Sequence, residues 1–175
     1  FSNISHYLVL LTANGEVTKL IPDANVGWAM QADENGKLIS GGMDLTCFDP
    51  DTGEFEVLAR QPVAPEELWS ACVTKTLVVM GSSTPKGTLA VYDRAARRIL
   101  KSFSPVHSHA FYTYDILEAP DGKILILSSA PRAVINLLDP FSLHLDPVIP
   151  EALADCSRVS GGVMLDEHTF FALTE

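Results

Sequence analysis

With 175 residues, 47% of them hydrophobic and 19% charged, the chain carries enough apolar side chain for one sizeable core. That excludes an intrinsically disordered segment and makes a single domain the default. Twelve Lys+Arg against 22 Asp+Glu give a net charge of -10, which opposes phosphate backbones and anionic membrane surfaces, so neither nucleic acid nor a membrane is expected as a partner.

The apolar run Tyr7 to Leu11, the turn Ala13-Asn-Gly-Glu16 and the alternating stretch Val17 to Ile21 predict a first hairpin. Val26 to Gln31 leads through Asp33-Glu-Asn-Gly36 into Lys37 to Ser40. A second hairpin follows, Leu45 to Phe48 and Glu54 to Leu58, around Asp49-Pro-Asp-Thr-Gly53. There Pro50 sets φ and Gly53 supplies a positive φ. The same order then recurs: Leu68 to Val73, Thr76 to Met80, a Gly/Ser/Pro loop from Gly81 to Gly87, Thr88 to Tyr92 and Arg98 to Phe103. A third round comprises Tyr112 to Leu117, the turn Pro120-Asp-Gly122, Lys123 to Leu127, Ala133 to Leu138 and Leu143 to Ile149. Two last strands, Arg158 to Leu165 and Thr169 to Leu173, close the chain.

These rounds can be registered on one another. Lys37, Thr76, Lys123 and Thr169 open equivalent strands at separations of 39, 47 and 46 residues, and Asp49, Asp93 and Asp139 end others at 44 and 46. Four short antiparallel strands repeated at this period predict an all-β fold, a β-propeller of about four four-stranded blades. The expected units are strands c and d of one blade (7-21), blades 26-58, 68-103 and 112-149, and strands a and b of a last blade (158-173), together one propeller domain or part of one. In this phase the terminal hairpins could complete one composite blade and close a four-bladed ring; the alternative is part of a larger propeller.

Phe48-Asp-Pro-Asp-Thr-Gly-Glu54, Val91-Tyr-Asp-Arg94, Leu137-Leu-Asp-Pro140 and Ala119-Pro-Asp-Gly-Lys123 resemble repeats of the broad WD40, YVTN and quinoprotein-like propeller superfamily. The resemblance covers nearly the whole chain. It lacks the Gly-His and Trp-Asp pair of true WD40 blades and the kelch double glycine with its spaced aromatics. It implies the propeller architecture and leaves the activity open.

Three cysteines without CxxC spacing, Cys47, Cys72 and Cys156, indicate neither a disulfide framework nor a zinc site. No apolar run approaches the roughly 18 residues of a membrane-spanning helix, so a soluble domain is expected. The chain opens on Phe1 with no basic leader region and reads as a piece of a longer chain, which leaves the compartment unknown. Arg94, Arg97, Arg98 and Lys101 are its basic cluster, and a solvated turn and outer strand is the expected reading.

In the resemblance class ligands bind where the loops enter the inner strands. Those loops here supply Asn25 and Trp28, then Glu66, Glu67 and Trp69, then His107, His109 and Tyr112, then Asp155, Ser157 and Arg158. The leading expectation is a binding module for a protein partner or a small-molecule or carbohydrate ligand, with no cofactor and no metal, and with association as one way to complete the ring. Asn25, Trp28, Glu66, Glu67, Trp69 and Asp155 are its candidate contacts. The alternative is a carbohydrate-active or ester- or lactone-cleaving enzyme, in which His107, His109, Tyr112 and Arg158 neutralise a carboxylate and move a proton. Histidines two apart on an extended segment share a face, yet two imidazoles fall short of a metal's ligand set, and loop histidines commonly only hydrogen-bond locally. Large aromatics on inner strands commonly pack between blades, which is the favoured reading for both tryptophans. The carboxylates of Asp49 to Glu54 lack the length and distal Glu of a calcium loop and read as a hairpin turn.

Overall fold

The structure is a computed structural model describing residues 7–22, 27–83, 87–103, 110–148 and 151–174. Among them are sixteen strands and a single 3-10 turn at Glu151–Leu153. Three four-stranded antiparallel sheets follow one another. The first holds β3 (Ala29–Ala32), β4 (Leu38–Gly41), β5 (Leu45–Phe48) and β6 (Phe55–Ala59), in that order. The second holds β7 (Leu68–Val73), β8 (Leu77–Ser82), β9 (Leu89–Asp93) and β10 (Arg98–Phe103), and the third β11 (Ala110–Glu118), β12 (Ile124–Pro131), β13 (Val134–Asp139) and β14 (His144–Val148). A two-stranded sheet lies at each end, β1 (Tyr7–Leu11) with β2 (Val17–Pro22) and β15 (Val159–Met164) with β16 (Phe170–Thr174). Strands β3, β7, β11 and β15 are successive neighbours. They are the inner strands of radially stacked blades.

Period-2 alternation decides the stacking, because successive side chains point to opposite faces. In β8, Val78 and Met80 face the first sheet while Leu77 and Val79 face the third. In β9, Ala90 and Tyr92 go one way and Leu89 and Val91 the other. All six residues of β8 are consequently buried. Each complete blade is thus apolar on both faces, unlike a sandwich strand with one wet side.

One side chain on each of β3, β7 and β11 bonds across to the neighbouring blade. Gln31 Oε1 accepts the Val73 N–H at 2.7 Å, the Ser70 hydroxyl donates to the Thr113 carbonyl at 2.9 Å, and Asp115 Oδ2 accepts the Gly162 N–H at 3.1 Å. Close approach there demands glycine on the second strand. A Cβ at Gly41 would lie 2.4 Å from Leu68 Cδ1, and one at Gly81 2.4 Å from Thr113 Cβ.

The outer turns are aspartate-led. Asp49 Oδ1 accepts the Asp51 N–H at 3.0 Å, and Asp139 Oδ1 accepts those of Phe141 and Ser142 at 2.8 and 3.0 Å, so the polar run at 49–54 is a hairpin turn. Its last residue is left-handed: Gly53 (φ 79), Arg97 (φ 55) and Leu143 (φ 52) hold equivalent places. Glycine alone adopts this conformation without a steric cost.

Two sequence expectations need correction. By pairing register Leu77, not Thr76, is the equivalent of Lys37 and Lys123, since Leu77 pairs with Asp93 while Leu38 pairs with Phe48 and Ile124 with Leu138. Of the two arrangements the sequence leaves open, the described strands do not close a four-bladed ring, because β1–β2 and β15–β16 remain separate sheets. The basic cluster is more than a solvated face. Arg94 Nη2 meets Asp33 Oδ2 at 2.7 Å, and its Nη1 meets Glu34 Oε2 at 2.7 Å and donates to the Thr74 carbonyl at 2.6 Å, with only 17% of the Arg94 side chain exposed. Arg97 pairs with Glu56, and Lys101 donates to the Leu143 carbonyl at 2.8 Å, so these cations join blades.

All three cysteines are free. Burial pushes the Cys72 thiol up to about 12 and leaves it a neutral core side chain. The described residues include no helix long and apolar enough to cross a membrane.

Arg94→Ala should lower unfolding free energy by roughly 1.5–3 kcal/mol, because Asp33 stays buried without its charged partner. Urea denaturation measures it. Acid should also destabilise the chain. The Lys37 ammonium holds Asp49 below the usual carboxylate range, and backbone N–H groups of Lys123, Ser142 and His168 do the same for Asp121, Asp139 and Asp166. A carboxylate whose folded pKa is depressed contributes stability above its unfolded value, about 3.9 for Asp, and loses it as pH falls through the folded value. Asp115 has the opposite sign. Burial raises its pKa, only partly offset by the Gly162 and Ile116 N–H groups, so its contribution worsens as pH rises through the folded value. Thermal melts between pH 7 and pH 3 should show a falling Tm below about pH 4, with a shallower fall in Asp139→Ala.

Candidate functional site

Antiparallel alternation puts the loops entering the inner strands on one rim and the aspartate-led turns on the opposite face. On the rim, Trp28 immediately precedes β3 and Trp69 is the second residue of the neighbouring inner strand β7. Their rings lie 5.3 Å apart between centroids, inclined by 32°. Trp28 is 72% exposed and Trp69 half-buried, so Trp28 is a surface ring rather than interblade packing. Gly27 explains the approach: a Cβ there would lie 1.8 Å from the Gly41 carbonyl oxygen, and only glycine lets the chain hug the end of β4 before the indole turns outward.

A second aromatic group stands on the next inner strand. Tyr112 and Tyr114 of β11 have ring centroids 5.4 Å apart, and the Arg158 guanidinium lies 5.9 Å from the Tyr114 centroid, within cation–π range. Arg158 is tied to the third sheet by a bridge to Ser129. Tyr112 and Arg158 therefore meet through Tyr114, which sequence reasoning did not nominate; its only sequence signal is its spacing of two from Tyr112.

Glu66 is buried, with 4% exposed. Its Oε2 lies 3.2 Å from the Ser82 hydroxyl, and Oε1 has no hydrogen-bond partner among the described residues. The Ser82 hydroxyl oxygen accepts the Thr88 N–H at 2.7 Å, so this carboxyl sits in the support of the rim loop instead of facing outward. Glu67 and Asp155 are exposed. Asn25, His107 and His109 lie outside the described residues. Among the described residues no group of three or more His, Cys, Asp or Glu side chains is placed to hold a metal ion.

Among the described residues, clefts open on the opposite face. One, about 520 Å³, is lined by Lys37, Cys47, Asp49, Glu54, Phe55 and Glu56; another, about 360 Å³, includes Thr74, Asp93, Glu118, Asp121 and Phe141; another, about 390 Å³, is bounded by Pro120, Asp121, Glu167 and His168. These are shallow spaces among polar turn residues. They contain none of the sequence-nominated site residues.

Comparison with solved structures agrees with the radial stacking. The chain superimposes on a chain in a crystal structure of a mitotic checkpoint complex with a TM-score of 0.57 at 12% identity, covering 79% of this chain and 42% of that one. It has the propeller fold. No family model matches the sequence. Over 66 residues it is 32% identical to meiotic recombination protein rec14 of Schizosaccharomyces pombe, covering 37% of this chain. The chain spans 22% of the length of that curated relative.

The two indoles are the chain's only tryptophans, which gives the rim a spectroscopic signature. Two such rings in contact couple their electronic transitions, so the circular dichroism should contain an exciton couplet. Trp28→Phe or Trp69→Phe should each abolish it while the melting temperature of Trp28→Phe stays within a few degrees of the parent. A couplet surviving either substitution would contradict the contact between the two rings.

Proposed function

We propose that the chain is a protein-interaction module that binds its partner through the rim carrying Trp28, Trp69, Tyr112, Tyr114 and Arg158. The observation that carries this reading is the indole of Trp28, 72% exposed and tilted against Trp69. An aromatic ring left in water is an unspent binding surface, and Trp, Tyr and Arg are the residues that most often anchor protein interfaces. Contact with Trp69 pre-orders the Trp28 ring, which lowers the entropy lost when a partner closes over it. The net charge of -10 favours a partner segment that combines apolar anchors with Lys or Arg. Similarity to a chain of a mitotic checkpoint complex and to a meiotic recombination protein supports a role in assembling proteins rather than identifying the partner.

Selection of short peptides from a display library against the immobilised chain tests it. Enriched sequences should carry an aromatic or aliphatic anchor beside basic residues, and Trp28→Ala should weaken their binding by at least tenfold, about 1.4 kcal/mol. Peptides that bind Trp28→Ala and the parent equally would place the binding surface elsewhere.

A further inference from the structure

On the face opposite the rim a guanidinium joins the first complete blade to the second, and the repeat allows the next junction to be set beside it. Arg94 follows Asp93 at the end of β9. Its Nη2 meets Asp33 on the turn after β3, and its Nη1 meets Glu34 on that turn and donates to the Thr74 carbonyl on the turn after β7. Arginine suits this place because its planar head is weakly hydrated and offers several N–H groups at fixed angles to carboxylates and carbonyls on two sides. In β13 the register is the same, with Leu138 opposite Ile124 as Tyr92 is opposite Val78, so Pro140 after Asp139 holds the position of Arg94. Proline has no charge to offer there.

At that junction, between the second and third blades, lies the cleft of about 360 Å³. Its apolar lining is Leu77, Leu100, Pro140 and Phe141, and its charged lining is Asp93, Glu118 and Asp121, so every charged residue around it is acidic. Lys123 Nζ already meets Asp121 Oδ2 at 3.2 Å, whereas Glu118 is exposed and the described ion pairs give it no cation. Lys101 crosses the outer edge of the same junction to the Leu143 carbonyl and does not line the cleft. The cleft beside Asp49 differs, because Lys37 is part of its lining and meets that carboxylate at 3.0 Å. Phe141 stands at the mouth with 94% of its surface exposed, on a backbone fixed by its N–H donating to Asp139 Oδ1 at 2.8 Å. A bare ring on a fixed turn, beside unneutralised carboxylates, is an interaction surface with a definite sign.

We propose that this cleft takes an arginine side chain from a partner protein. The incoming guanidinium pairs with Glu118, its methylene stem covers Leu100, and its face packs on the Phe141 ring. It does for the second and third blades what Arg94 does for the first and second, with the cation supplied from outside. Lysine fits less well, because a compact, strongly hydrated ammonium gains little from an aromatic wall and cannot pair in a plane. The net charge of -10 draws a cationic segment toward the chain. Both walls belong to complete four-stranded blades, and the site is on the face opposite Trp28, so it is a second contact surface independent of the rim.

Titration of the whole chain with acetyl-Leu-Arg-Leu-amide, followed by amide NMR, tests this against the same peptide carrying citrulline, which keeps the shape of arginine without its charge. The arginine peptide should move the signals of Glu118, Gly122 and Phe141 and saturate them, and the citrulline peptide should bind at least about fivefold more weakly. Glu118→Gln and Phe141→Ser, both at exposed positions that leave the melting temperature near that of the parent, should each weaken the arginine peptide by roughly fivefold. Added salt should weaken it as well. Trp28→Ala should leave it unchanged, which separates this site from the rim. Equal binding of the two peptides overturns the proposal. So do unaltered affinity in both cleft variants, a loss of binding in Trp28→Ala, or no saturation below about 10 mM peptide.

Discussion

Each sheet of this chain must bury both faces, and the rest of the structure depends on that. A four-stranded sheet with apolar residues at consecutive positions has no side to give to water, so it is stable only between two others. The second blade meets this demand in full, with every residue of β8 and four of the five in β9 buried. The terminal hairpins meet it by half. Val9, Leu20, Phe171 and Leu173 continue the alternation that feeds the cores, on the face of each hairpin turned away from the complete blades.

The same stacking builds the rim. Inner strands brought side by side by Gln31, Ser70 and Asp115 carry their entering loops together, so side chains dozens of residues apart in sequence become neighbours. Trp28 meets Trp69 on that account, and Arg158 meets Tyr114. The opposite face is organised by aspartates that satisfy turn N–H groups and by cations that link one blade to the next. One face is committed to holding blades together, and the other leaves aromatic surface exposed to solvent.

Much of the architecture was legible. The spacing of Asp49, Asp93 and Asp139 is preserved in the structure as the ends of equivalent strands, because a turn that needs a side-chain acceptor leaves a compositional mark. Placing Thr76 in register with Lys37 failed by one residue, since threonine at a turn and at a strand start look alike in sequence and only the pairing of Leu77 with Asp93 separates them. Arg94 read as a surface charge because its partners, Asp33 and Thr74, belong to other turns of the repeat.

The sequence by itself determined the strands and their repetition as four-stranded antiparallel sheets. Local alternation and turn chemistry act over a few residues and are written in consecutive letters. Only the tertiary structure decided that Glu66 supports a loop from within, that Tyr114 joins Tyr112 to Arg158, that Trp28 stands in solvent, and that the chain's two ends remain separate sheets. Those outcomes depend on how far each blade rotates against the next, which is set by side-chain volume in cores between blades and has no local signature in the chain.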